Sequence, residues 1–495
     1  MFESAELGHA ISPATYARAV PKLREALLDA QYDLFQDGRF PVMILIAGID
    51  GAGKGETVNL LNEWMDPRHI NVAAFGESSD EERERPPMWR YWRELPPRGR
   101  IGIFFGHWYT DPILDRVHRK SRQPELIQSI EEIVRFEKML ADEGALLLKF
   151  WFHLTKDKQK KRLKALEKDP QTRWRVTKTE WRHFRLYDRI RKVAGLALRH
   201  TGSAAAPWFV VEGQDACYRN LTVGRTLLAA MRERLDQKPA KPAADRIPPI
   251  PPPIDNRHIL GALDLGLKLT RRQYTEQRAL YQGRIYKLSR HPRFRERSAV
   301  LVFEGNDAAG KGGAIRRVAA ALDARYYRTI PVAAPTEEER AQPYLWRFWR
   351  HLPRLGRFVL FDRSWYGRVL VERVEGFAGE FDWTRAYSEI NDFEQQLADK
   401  GAIVVKFWLA ISKDEQYRRF RERQKTAFKR FKITPEDWRN RKKWEAYEQA
   451  VCDMVDRTST AVAPWTLVEA NDKRYARIKV LKTICERLES ALRLQ

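Results

Sequence analysis

The residues able to do chemistry cluster in two short segments, GNDAAGKG at 305–312 and DRSWYGR at 362–368. A Gly-x4-Gly-Lys loop between a strand and a helix turns consecutive backbone N–H groups into one concavity. The helix start adds positive potential and the lysine neutralises phosphate oxygens. Gly305, Gly310 and Lys311 meet that pattern, and Gly312 and Gly313 open the helix beyond it. Gly312 stands where Ser or Thr usually holds Mg²⁺, so other groups must hold the metal. Asp307 precedes the lysine by four residues, and Asp362 closes the strand RFVLF at 357–361. Together these carboxylates can position Mg²⁺ or Mn²⁺, directly or through waters, because such an ion takes a few carboxylates plus phosphate oxygens. Taken alone, Asp307 could equally serve to satisfy turn N–H groups. Arg363 and Arg368 are placed to face the same phosphates. Phosphoryl transfer needs positioning and neutralisation of spread negative charge, so no nucleophilic side chain is required.

The elements that must position these groups follow from the hydrophobic pattern. AVLVF at 299–303 reads as a buried strand, followed by the glycine loop and the helical pattern GAIRRVAAAL at 313–322. RFVLF, AIVVKFWLAI at 402–411 and WTLVE at 465–469 supply further strands with helical segments between them. Strands alternating with helices predict an α/β domain with a mainly parallel sheet covered on both faces. The stretch at 412–438 is basic and helical. Most of its cations are expected to form a solvated face. Arg419 and Arg423, one helical turn apart, can nevertheless face inward together. In WRFWR at 346–350, Arg347 and Arg350 could meet phosphate on the nucleotide side; core packing is the simpler role for Trp346 and Trp349.

The whole pattern occurs twice. GIDGAGKG at 48–55 precedes GNDAAGKG by an offset of 257 residues, and the same offset links WRYWRELP to WRFWRHLP, KFW to KFW and APW to APW. The first half supplies VMILI, RIGIFF, ALLLKFWFHL and WFVVE as its strands. Domains are therefore expected at 1–237 and 256–495, joined by a proline-rich spacer at 238–255 whose clustered prolines favour extended backbone. Within the first half, Asp50 and Lys54 are kept, whereas Asp362 becomes Phe105, Arg363 becomes Gly106, Ser364 becomes His107, Arg368 becomes Asp111 and Arg423 becomes Leu166. Catalysis is expected only in 256–495, with structural support or polymer docking left to the first half.

A formal net charge of +24 predicts an anionic partner, with nucleic acid, lipid headgroups and inorganic phosphate polymers fitting equally. Three cysteines without ligand spacing support neither a disulfide framework nor a zinc site. The N-terminus has no signal-peptide pattern and PVMILIAGI at 41–49 is too short to span a bilayer, so a cytoplasmic protein without membrane association is expected.

Together GNDAAGKGG, DRSWYGR, KFWLAISKDEQYRRFRER and ITPEDW resemble the polyphosphate kinase 2 family, and the duplicated length resembles its two-domain members. The resemblance covers nearly the whole chain. It implies tandem P-loop kinase-like domains, each carrying a basic helical lid, and an activity that makes ADP from AMP with inorganic polyphosphate as donor. It implies Asp307 and Asp362 as metal-organising and catalytic acids, Lys311 and Arg363 as phosphate clamps, Arg423 as the lid arginine and Glu372 as a nucleotide-side acid. The expected partners are polyphosphate and AMP or ADP, with no nucleic acid required. Two fused halves can already supply the pair that single-domain relatives build by dimerisation, which leaves a homo-oligomer open. Two other readings remain at this level. An ATP-dependent nucleoside-monophosphate kinase shares the fold and loop, and a nucleic-acid-binding protein could keep relic loops. A nucleic-acid binder would have no use for Asp307 and Asp362 beside Lys311.

Overall fold

Short β-branched runs flanked by glycine turns form two five-stranded sheets, parallel throughout. This is a computed structural model, and it describes residues 1–237, 258–427, 431 and 433–493. The first sheet holds β1 (Val42–Gly48), β2 (Ile70–Ala74), β3 (Ile101–Phe105), β4 (Leu146–His153) and β5 (Trp208–Glu212), in the order β2-β3-β1-β4-β5. The second holds β6 (Ser298–Gly305), β7 (Tyr327–Pro331), β8 (Phe358–Asp362), β9 (Ala402–Ala410) and β10 (Trp465–Glu469), in the mirrored listing β10-β9-β6-β8-β7. The central strand β6 buries Ala299 to Phe303 completely. Each large side chain removed from water in this way contributes about 1.5–3 kcal/mol. The expected α/β class and every strand read from the sequence are present. β2 and β7 were not read: YRTIP in β7 is polar and ends in proline, and INVAA in β2 is a short edge strand with three of its five residues exposed.

Five helices matter to the site. They are α1 (Lys54–Trp64) and α2 (Lys311–Ala319) after the two glycine loops, α3 (Lys413–Lys425), α4 (Pro435–Lys442) and α5 (Lys473–Leu492). The single basic stretch expected at 412–438 is thus two helices, each starting at a hydroxyl N-cap: Ser412 accepts from the Glu415 N–H, and Thr434 forms a capping box with Asp437.

The chain folds into two compact units that are not contiguous halves. One comprises Met1–Ser78, Arg90–Ala240 and Pro335–Trp346; the other comprises Ser79–Trp89, Lys241–Ala334 and Arg347–Gln495. Inside the second unit Glu84 pairs with Arg354 and Arg85 donates to the Leu352 carbonyl at 3.0 Å. Inside the first, Gln342 donates to the Leu95 carbonyl at 3.0 Å and Ala341 accepts from the Arg98 N–H at 2.9 Å. The spacer expected at 238–255 lies outside the described residues.

Candidate active site

β6 and β8 are hydrogen-bonded neighbours with Phe303 opposite Asp362, so the glycine loop leaving β6 and the turn leaving β8 emerge side by side. β7 lies beyond β8 on one side of β6 and β9 lies on the other, which makes this the sheet's switch point, where α/β sheets bind ligands. The turn after β8 is anchored from below. Trp365 and Tyr366 donate to Glu394 at 3.0 and 2.7 Å, and Glu394 in turn holds Lys406 at 2.7 Å. Both members of that ion pair have no solvent-exposed side-chain surface, and Lys406 also donates to Tyr366 and to the Thr458 carbonyl, so its three protons are used. Removing one partner of such a pair strands a buried charge.

The loop backbone is built for close approach. Gly305 has φ +148°, and a Cβ there would lie 2.5 Å from the Leu409 carbonyl oxygen of β9. Two non-glycine residues, Ala308 and Arg363, both sit at φ 65°, where an L-residue costs about 1–2 kcal/mol. Their copies in the first half are Gly51 and Gly106.

These elements enclose a cavity of about 710 Å³ lined by Asp307, Gly310, Lys311, Gly312, Gly313, Asp362 and Arg363, with Arg316, Arg419, Arg423, Lys473 and Arg477 around it. Lys311 Nζ donates to the Gly305 carbonyl at 2.6 Å, and burial together with the nearby Arg363 pushes its ammonium pKa down. Asp307 accepts from Arg363 at 3.3 Å and from Asn440 of α4 at 2.9 Å. A Cβ on Gly312 would lie 3.8 Å from Asp362 Oδ2, so the missing hydroxyl residue leaves a carboxylate at the loop. Among the described residues no group of three or more His, Cys, Asp and Glu could hold a metal. Asp307 and Asp362 both line the chamber, and a divalent ion bound through these carboxylates would be completed by phosphate oxygens and water, not caged by protein.

A second, narrow cavity of about 80 Å³ shares Asp307 and Arg363 with the first and is walled by Trp408, Trp444, Tyr447 and Leu370. Asp307 and Arg363 thus stand between a cationic chamber and an aromatic cleft.

Five residues differ from their expected placement. Arg419 was expected to face phosphates with Arg423. It instead spends all five N–H donors on Glu415 and on the carbonyls of Ala308, Ala309, Ala470 and Asn471, bracing the loop from behind. Arg368 and Glu372, expected on phosphate and nucleotide, pair with each other at 2.9 Å. Neither lines the large cavity, although Gly367 beside them lines the narrow one. Arg347 donates to the Ala333 carbonyl at 3.0 Å and so supports one wall, and Arg350 is exposed and lines neither cavity. Trp349 packs on Phe393 at 5.0 Å between ring centres, in keeping with a core role.

The sequence reading missed Glu304, Asn440, Lys473 and Arg477. Glu304 is buried, its carboxyl pushed up to about 6 by burial against the pull of Lys311 and of Ser364, which donates to it at 2.9 Å. The internal copies would have flagged them: Ala47, His183, Ala216 and Asn220 stand at these positions in the first half.

That half keeps the scaffold and fills the loop with its own side chains. Lys149, Glu137, Tyr109 and Trp108 repeat the buried network around Lys406. Asp50 is engaged by Lys54 at 3.0 Å and His183 at 2.7 Å. Burial would raise its carboxyl, but those two groups overcome it and hold the carboxyl well below the usual range. Glu56, in the first turn of α1 where the second half has Gly313, receives Arg162, Arg175 and Arg219 at 3.0, 3.3 and 3.0 Å. The Arg219 guanidinium lies directly against the Gly53 backbone.

The family described as polyphosphate kinase 2 matches residues 10–239 and 268–494, that is, both halves. The chain belongs to the polyphosphate kinase 2 family. It is 60% identical over 491 residues to a polyphosphate:AMP phosphotransferase of Pseudomonas aeruginosa, covering 99% of each chain. A protein of the same name from Acinetobacter johnsonii is 38% identical and covers 94% of this chain and 95% of its own. A crystal structure of a putative polyphosphate kinase 2 from Pseudomonas aeruginosa superposes with a TM-score of 0.90 at 58% identity over the full length of both chains. The family model matches twice, once over each of the two α/β sheets described here, and no described helix is long and apolar enough to cross a membrane.

Proposed function

We propose that this protein transfers the terminal phosphoryl group of inorganic polyphosphate to AMP, giving ADP and a chain shorter by one phosphate, and that residues 256–495 do the chemistry. The observation that carries the reading is the convergence of Lys311, Asp307, Asp362 and Arg363 on one cationic chamber, set against their replacement or neutralisation in the first half. The donor chain would occupy the chamber, where the loop amides and Lys311 meet the oxygens of its last units. The AMP phosphate would approach past the aromatic cleft, so an AMP oxygen attacks the terminal phosphorus while the bridging oxygen departs on the opposite side with the shortened chain.

Arg363 spans both sides and would neutralise charge spread over the equatorial oxygens, and Arg423 on α3 would close over them. Asn440 and Arg363 fix the Asp307 carboxylate toward the reacting phosphates. A Mg²⁺ or Mn²⁺ ion held by Asp307 and Asp362 would supply further neutralisation of phosphate charge. Three free cysteines fit action in the reducing cytoplasm, where AMP is found.

The test is ADP formation from AMP, Mg²⁺ and long-chain polyphosphate with no ATP present. Lys311→Ala is expected to lower kcat by at least 100-fold and Lys54→Ala by less than threefold. Transfer from ATP alone, or loss of activity in Lys54→Ala with retention in Lys311→Ala, would overturn the reading.

A further inference from the structure

A further cavity in the catalytic unit lies at the opposite end of the sheet. It is lined by residues around the amino ends of β7 and β8, including Tyr326 and Phe358, and its volume is about 710 Å³, equal to that of the active-site chamber. Arg290, Arg295, Arg325, Arg354 and Arg357 line it against two carboxylates, Glu84 and Asp323. The active-site chamber sets seven cations against four carboxylates, so the two cavities carry the same excess of three positive charges. The rear cavity has no lysine and no glycine loop of the Lys311 kind, hence binding groups without transfer groups.

The edge strand β7 joins them. Its amino end follows Arg325 and Tyr326 in the rear cavity; its last residue Pro331, with Val332 and Ala333, lines the front chamber. Arg328 and Thr329 between them are exposed. Five strand residues span about 17 Å. Guanidinium groups suit such a path because their forked donors match phosphate oxygens.

The first half, which lacks the copies of Asp362 and Arg363, also lacks most of the arginines of this path. Asp33, Gly38, Pro97 and Asn71 stand where the catalytic half has Arg290, Arg295, Arg354 and Arg328; only Arg68 and Arg100 remain, as copies of Arg325 and Arg357. A basic surface serving solubility alone has no reason to follow the catalytic residues in this way.

We propose that the rear cavity and the β7 edge form a docking track for the unreacted length of a polyphosphate chain whose end lies in the active-site chamber. The proposal rests on polyphosphate being the donor. Chains long enough to occupy both places gain affinity by tethering, and chains confined to the chamber do not.

The experiment compares AMP phosphorylation by long-chain polyphosphate and by tetraphosphate in the triple variant Arg295→Gln/Arg325→Gln/Arg328→Gln, with Arg68→Gln as a charge control and circular dichroism to verify folding. Failure of the wild-type chain to use either donor would remove the donor assignment itself, before any variant is compared. The track predicts a rise of about tenfold in KM for the long donor, kcat within twofold, and less than a twofold rise in KM for tetraphosphate. An equal change for both donors, no change for the long one, or the same rise in Arg68→Gln would overturn it.

Discussion

Glu304 lines the narrow cleft and places a buried carboxyl beside the loop lysine. It is buried behind the loop, bonded to Ser364 and close enough to Lys311 to feel its charge. Its folded pKa of about 6 lies above the ordinary 4.5, so the folded state binds the proton more tightly than the unfolded chain does. Stability from this group is therefore full below 4.5 and is lost as pH rises to 6 and beyond, by about 2 kcal/mol in total. Glu304→Gln should flatten that slope: urea midpoints of the wild type measured at pH 4.5 and 7 should separate by more than those of the variant, and equal separations would count against the assignment. Lys311, Asp307, Asp362 and Arg363 were legible in the sequence because their geometry is set by local chain, a loop leaving one strand and a turn leaving its neighbour. Arg419 was misread for the complementary reason. Helical spacing tells which residues share a face, but not that four backbone carbonyls wait opposite one of them.

At the level of elements, α1 and α2 begin alike and end up in opposite electrostatic states. α2 opens with Gly312 and Gly313 and leaves its first turn to a ligand; α1 offers the Glu56 carboxylate to three arginines, so an internal anion already stands at the helix start. Of the two roles expected for the first half, structural support or polymer docking, this arrangement favours structural support at the loop itself. Glu56→Gln, made in a Lys311→Ala background, should expose that cluster and add one equivalent of tripolyphosphate binding by calorimetry, and an unchanged stoichiometry would contradict it. The central strands were readable from their apolar runs, and the stretch at 412–438 was readable as basic helix. Its division into α3 and α4 was signalled by Thr434 and Pro435, a start signal set inside a stretch that charge alone makes continuous.

For the whole molecule, duplication was plain from one offset, while the exchange of Ser79–Trp89 for Pro335–Trp346 between units was not. Nothing in local pattern distinguishes a segment that packs with its own half from one that packs with the other. The exchange predicts that residues 256–495 produced alone lack the Glu84 partner of Arg354 and the Arg85 bond to Leu352. Adding a peptide spanning 79–89 should raise the thermal midpoint of that fragment by several degrees, and a midpoint indifferent to the peptide would show that the segment contributes nothing. The exchange also sets a timetable for biogenesis. When the first sheet has left the ribosome its unit is still missing Pro335–Trp346, which at ordinary elongation rates follows on the order of 10 s later. Through that interval the nascent chain carries a unit still lacking one of its three segments, so its final packing is completed only after part of the second sequence half has been made.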